Sequence, residues 1–339
     1  MKTPSLAAAC LLLAGGLAAG AARAAAPPQP ACIPAAGATV GLMHAIHATD
    51  QVDKTLAFYT EVFGLEGKVA AFTNPNVPIL TNSPGAALRL SMLRIPGESF
   101  GFELTEFSNV PRTPAQPELT DPGAPHMKFL VRDIEPVVAA VKRLGAPILT
   151  TSKAPVTVDT AVGAGRAIFF RDPDGYIVEA VQIQPPADAP PGNLIGAVMG
   201  VTVGDLDEAA KFWRDIMGFN LAGGRSFSTD KAQLDLMGVK PGGAFRSATS
   251  MVPGSCARIE FIEFKGMPRK PFSLRVPDPG ASGMAIRVAK IEELLPRMKA
   301  AGYRILSRDG ELVHWDERTR NFFVKDADGL NLELVGTVQ

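Results

Sequence analysis

The sequence contains four histidines, His44, His47, His126 and His314. His44 and His126 fall at corresponding ends of two predicted strands. Each is followed, within its own segment, by a strand that carries a glutamate, Glu103 and Glu179 respectively. Two imidazoles and two carboxylates suit one first-row divalent ion (Zn, Ni, Fe, Mn or Co), with one or two positions left for water or substrate. Bound in that way, the ion acts as a Lewis acid toward substrate oxygens. A carboxylate in an apolar cup is raised in pKa, so Glu103 or Glu179 can also serve as a catalytic general base. Strand alternation sorts the neighbours. His44, Ile46 and Ala48 share a face and His47 points the other way, toward packing or solvent. Glu103 and Glu106 are three apart, so only one of them enters a cup. His314 sits beside Trp315 and Asp316 in a polar stretch and is expected at the surface.

The elements that carry these residues occur twice. A helix with Phe58, Tyr59, Gly64 and Leu65 has a counterpart with Phe212, Trp213, Gly218 and Phe219. The Asp172-Pro-Asp-Gly turn has a counterpart in Asp326-Ala-Asp-Gly. The nearly constant offset marks tandem copies. Each copy reads as strand, helix and about three strands, then the same order again. In the first half of copy one, His44–Ala48 reads as a strand and 53–63 as an amphipathic helix. Strands at 69–73, 87–95 and 101–107 follow. In the second half, a strand at 126–131 precedes a helix at 135–145 that Gly145 closes, and strands at 156–158, 167–170 and 176–181 complete the copy. The fold class is therefore α+β, four βαβββ units in all.

Composition bounds the rest. Lys+Arg and Asp+Glu are equal at 34 each, which removes the electrostatic reason to expect nucleic acid as partner. Residues 1–24 have the layout of a secretory signal peptide: Lys2, an uncharged Ala/Leu/Gly run, then Ala22-Arg23-Ala24. The run is short and rich in small residues, so no stable membrane anchoring is expected, and the protein is expected to be secreted or periplasmic. A Pro/Ala-rich segment covers 25–39, the first module 40–184, a Pro-rich linker 185–193 and the second module 194–337. Export would permit a disulfide between Cys32 and Cys256, with two free thiols equally open.

The stretches around His44, Phe58-Tyr59 to Gly64-Leu65, His126 and Asp172-Pro-Asp-Gly-Tyr-Ile-Val-Glu179 resemble the vicinal oxygen chelate superfamily, which groups glyoxalases, bleomycin-resistance proteins and extradiol dioxygenases. The resemblance covers about residues 40–337. It implies two modules built from paired βαβββ units, with cups able to hold one divalent metal. Similarity to glyoxalase I implies His44, Glu103, His126 and Glu179 as metal ligands. The matching positions in copy two are Val198, Glu260, Gly283 and Glu333, so that copy is expected to be degenerate.

A cup could join the two units of one copy or units from different copies. The loss of both histidines from one copy favours the first arrangement, or a dimer that rebuilds it. The resemblance implies a metal-dependent lyase or isomerase acting on a small substrate with vicinal oxygens, which the layout of residues 1–24 would make an exported protein, expected as a monomer or homodimer. One alternative is a non-haem Fe(II) ring-cleaving dioxygenase using His44, His126 and Glu179. The other is a non-catalytic protein that binds small molecules. Phe102, Phe129, Phe169, Leu90 and Met92 are expected as apolar lining or core.

Overall fold

The structure is a computed structural model and describes residues 32–160 and 163–338. The predicted signal peptide at 1–24 lies outside them. Unit one comprises β1 (Thr39–Ala48), α1 (Val52–Phe63), β2 (Ala70–Phe72), a short helix α2 (Val77–Leu80), β3 (Ala87–Arg94) and β4 (Gly101–Ser108). Unit two has β5 (Pro125–Val131), α3 (Glu135–Arg143), β6 (Val156–Thr160), β7 (Gly163–Arg171) and β8 (Ile177–Gln182). Unit three has β9 (Leu194–Val203), α4 (Leu206–Trp213), β10 (Ala222–Gly223), α5 (Lys231–Leu236), β11 (Ala244–Met251) and β12 (Arg258–Lys265). Unit four has β13 (Ser282–Val288), α6 (Ile291–Ala300), β14 (Val313–His314), β15 (Thr319–Lys325) and β16 (Asn331–Thr337). The predicted elements are present, and the short helices α2 and α5 are additions that the apolar periodicity did not reveal.

The units pair across the copies. One eight-stranded sheet runs β14-β15-β16-β13-β1-β4-β3-β2 and so joins unit one to unit four. The other runs β10-β11-β12-β9-β5-β8-β7-β6 and joins unit three to unit two. The joints are antiparallel: β1 on β13, with His44 opposite Ala285, and β5 on β9, with His126 opposite Gly200. This overturns the expectation of a cup closed within the first copy. We call the two concave faces the outer cup (units one and four) and the inner cup (units two and three).

The helices show the opposite affiliation. α1 buries Phe58, Tyr59, Val62 and Phe63 and ends at Gly64, whose φ of 69° is a left-handed conformation that glycine adopts without a Cβ penalty. Burying each such side chain stabilises by about 1.5–3 kcal/mol as an upper bound. The Tyr59 hydroxyl donates to Asp172 Oδ2 at 3.1 Å, which ties α1 to the turn before β8 of the same copy. Trp213 Nε1 donates to Asp326 Oδ2 at 3.3 Å in the duplicate. Helices and turns therefore hold each copy together while the sheets hold the copies to each other. One large apolar cluster draws on all four units, and two smaller ones line the cups.

Glu106 and its duplicate Glu263 have a helix-side task. Glu106 Oε2 accepts from the Val52 amide at 2.9 Å and Glu263 Oε2 from the Leu206 amide at 2.8 Å, satisfying first-turn donors of α1 and α4. Cys32 and Cys256 form a disulfide that ties the start of the described chain to unit three.

Cutting the chain within 185–193 should leave the copies associated, because each sheet contains strands from both. Residues 32–184 alone should not persist as a folded monomer. Size-exclusion chromatography with circular dichroism, after inserting a protease site in the linker, checks both outcomes.

Candidate functional site

The four predicted metal ligands do not meet. His44 on β1 and Glu103 on β4 lie in the outer cup, and His126 on β5 and Glu179 on β8 lie in the inner one. Each cup thus receives one imidazole from copy one and a carboxylate from copy two. Glu333 enters the outer cup and Glu260 the inner. The triad of His44, His126 and Glu179 is likewise divided. The complete donor set expected in residues 40–184 is therefore corrected to two three-donor sets shared between copies. The second copy contributes a donor to each.

The outer cup is a cavity of about 380 Å³. Its walls are largely apolar, with Met43, Ile46, Leu80, Leu88, Leu90, Phe107, Val276 and Phe323 among them. Phe72 of unit one stacks on Trp315 of unit four with ring centroids 6.0 Å apart and spans the two units at this cup. Within these walls, His44 Nε2 stands 3.5 Å from Glu103 Oε2. Two donors each about 2.1 Å from one tetrahedral ion would be about 3.4 Å apart, so the pair is spaced as ligands of one ion would be. Burial holds the His44 imidazole down to about 4, leaving it neutral with a lone pair to offer. Burial, then the charge of Glu333, pushes Glu103 up to about 8. Burial takes Glu333 to about 7. Asn321 Nδ2 steadies Glu333 by donating to its Oε1 at 2.8 Å. Two partly buried carboxylates with no cationic side chain among the lining residues would be relieved by a divalent cation, so the His44–Glu103 pair fits the metal that the fold implies, while Glu333 lines the same cavity without coming within 4.8 Å of both.

The inner cup already holds a cation. Lys128 Nζ lies 2.6 Å from Glu260 Oε2 and 3.1 Å from Glu179 Oε2, all three buried. Burial opposes charge on Lys128, and the two carboxylates outweigh it and raise its pKa. Glu260 is the more closely paired acid. Burial works against its charge, but Lys128 and His126 bring it below the ordinary carboxylate value. Glu179 is pushed up to about 7 by burial. Burial lowers His126 to about 4. Neither of its ring nitrogens has a hydrogen-bond partner. The inner cavity is only about 70 Å³. His126, Glu179 and Glu260 have ligand atoms within 4.8 Å of one another, but the ammonium stands among them, so this set does not fit a metal as it is.

A third cluster, His47 with Asp172 and Asp174, lies on the helix side. His47 Nε2 bonds Asp172 Oδ2 at 2.9 Å, and Asp174 accepts from the Asp50 amide and the Thr55 hydroxyl. These donors are already used in packing, as expected for His47. His314 is exposed. Leu90 lines the outer cup and Phe169 the inner, Phe102 and Phe129 are core, and Met92 is exposed. The sequence analysis missed Lys128. Its signal was the two-residue period from His126, which puts a lysine on the cup face of an otherwise apolar strand.

The Glyoxalase/Bleomycin resistance protein/Dioxygenase superfamily pattern matches residues 41–180 and again 195–334. The chain belongs to that superfamily. It is 29% identical over 182 residues to a lactoylglutathione lyase of Arabidopsis thaliana, covering 53% of this chain and 55% of that protein. A lactoylglutathione lyase of Oryza sativa is 24% identical over 186 residues, covering 53% and 54%. The chain thus spans about half the length of the curated relatives it matches. Glyoxalase I from Zea mays shares the fold with a TM-score of 0.54 at 19% identity, over 87% of this chain and 92% of that one. A Bacillus subtilis structure provisionally named a dioxygenase has a TM-score of 0.55 at 14% identity, over 90% and 87%. Superfamily members act on small molecules with a divalent metal, and among the described residues no helix is long and apolar enough to cross a membrane.

The outer-cup shifts have a sign. Glu103 and Glu333 take up protons on folding, and His44 releases one in acid. Above the ordinary histidine value of 6.5 only the carboxylates contribute, and that contribution is lost as pH rises toward the Glu103 value of about 8. Metal-free protein should therefore lose stability between these limits, by at most about 1.4 kcal/mol per pH unit for each proton. Glu103→Gln should flatten the slope. Urea midpoints measured across that range test this.

Proposed function

We propose that the protein is an exported, metal-dependent lyase or isomerase whose single working site is the outer cup. The observation that carries this reading is the His44–Glu103 pair, 3.5 Å apart, in an apolar-walled cavity of about 380 Å³ that Glu333 also lines. A divalent ion held by these three residues would supply Lewis acidity toward two adjacent oxygens of a substrate. Gly283, at the fourth ligand position, offers no donor, so more than one coordination position stays open. His44 stays neutral across the physiological range and keeps its ring nitrogen free to bind. Glu333 is held by Asn321 and orients. Glu103 has no comparable tether, so its carboxylate, kept ionised by the cation, would take a proton from the carbon beside a carbonyl and return it to the neighbouring atom. Met43, Leu88 and Phe323 keep bulk water from competing for that proton.

The lining also selects the substrate class. Its ionisable groups are His44, Glu103, Asp316 and Glu333, with no lysine or arginine. A tripeptide–thiol adduct bearing free carboxylates would find no cation there and would meet three acids. A compact, uncharged molecule with vicinal oxygens suits the cup better. One imidazole beside two carboxylates also favours proton transfer over the two-imidazole triad of an Fe(II) oxygenase. Export is supported by the Cys32–Cys256 disulfide and the layout of residues 1–24.

Elemental analysis should find about one divalent ion per chain. His44→Ala and Glu333→Gln should lose it, and His126→Ala should retain it. Glu103→Gln should lower kcat by roughly 10²–10⁴, the usual range for a general base. Adducts of 2-oxoaldehydes with uncharged thiols should turn over faster than glutathione adducts. Oxygen uptake with catechols, or metal lost in His126→Ala but kept in His44→Ala, would overturn the assignment.

A further inference from the structure

The two cups are duplicates, and register shows what changed between them. On β1 and β4, Ile46 lies opposite Glu103. On β5 and β8, Lys128 lies opposite Glu179. Lys128 therefore takes the place of Ile46, two residues along the strand from the histidine and on the same face. An apolar side chain there leaves the outer carboxylates facing an open cavity. A lysine there puts an ammonium 2.6 Å from one inner carboxylate and 3.1 Å from the other.

The donor geometry for a metal has nevertheless persisted. His126, Glu179 and Glu260 have ligand atoms mutually within 4.8 Å. Both ring nitrogens of the buried His126 lack partners, although a core histidine would ordinarily be hydrogen-bonded. Gly200, opposite His126 on β9, leaves that ring its space, since a Cβ there would overlap it. The inner set has the ligands of a metal centre with a side-chain cation among them.

We propose that the Lys128 ammonium is the resident cation of the inner cup. It excludes divalent metal and clamps copy one to Glu260 of copy two, and its removal turns His126, Glu179 and Glu260 into a second metal site. The ammonium and a divalent ion cannot share these carboxylates, because like charges at ligand distance repel and the cavity of about 70 Å³ gives the lysine little room to withdraw. The inner cup is thus a structural joint, and its metal-binding capacity is masked by one residue.

The test is equilibrium dialysis of the metal-stripped mature protein against Zn²⁺ and Co²⁺, with ions counted per chain. Wild-type and His126→Ala proteins should bind the same number. Lys128→Ala should bind one ion more than wild type, and Lys128→Ala/His126→Ala should lose that gain. Added Zn²⁺ should raise the melting temperature of Lys128→Ala more than that of the double variant. Lys128→Gln, which retains a donor to the carboxylates without the charge, provides a second unmasking variant if the alanine protein does not fold. A folded Lys128 variant that gains no ion would overturn the proposal, as would a wild-type protein that loses an ion on His126→Ala. The wild-type comparison tests the exclusion of metal from the inner cup even if neither lysine variant folds, and an ion lost there on His126→Ala is enough to overturn the proposal. His44→Ala reports on the outer cup alone, so failure of the proposed function there leaves this result readable.

Discussion

Backbone pairing between β1 and β13, and between β5 and β9, decides which side chains can meet. Each joint is a run of antiparallel hydrogen bonds between strands from different copies, at the centre of an eight-stranded sheet. A ligand set on a curved sheet can include only residues whose strands belong to that sheet. Once β1 pairs with β13, His44 must find its companions on unit four, and His126 is committed to unit three. The placement of metal donors and of the substrate cavity follows from that pairing.

The same molecule holds its copies together by a second principle. Asp172 gathers Tyr59 and His47, and Asp326 gathers Trp213, so turn and helix lock within a copy. Sheets link across the copies while helices link within them. Neither half can bury its surfaces alone, which makes the duplication one cooperative body rather than two tethered modules.

Duplication gave each cup one imidazole and two carboxylates, and the cups then resolved the resulting excess of negative charge differently. The inner cup neutralises it internally with Lys128. The outer cup has no such residue among those lining it, and it keeps Ile46 at the corresponding position. Its carboxylates are driven toward protonation, with Glu103 raised to about 8. A buried acid in that condition is stabilised either by a proton or by a cation, which is the physical basis for binding a metal and for moving a proton at the same place.

Much was already determined by the residue order alone. The repeat at constant offset established the four units, the apolar periods placed strands and helices within a few residues, and alternation separated His44 from His47 and Glu103 from Glu106. These are local properties, settled by the period of a strand or a helix. Which unit faces which is not local. Both pairings satisfy the same alternation and bury similar strands, and the one sequence feature that separated them, the loss of both histidines from copy two, pointed to His44 with His126 rather than to His44 with Glu333. Only the tertiary structure chose between them, because hydrogen bonds between β1 and β13 join residues more than two hundred positions apart, and with them it decided that Lys128 sits among the ligands of one cup while the other stays open.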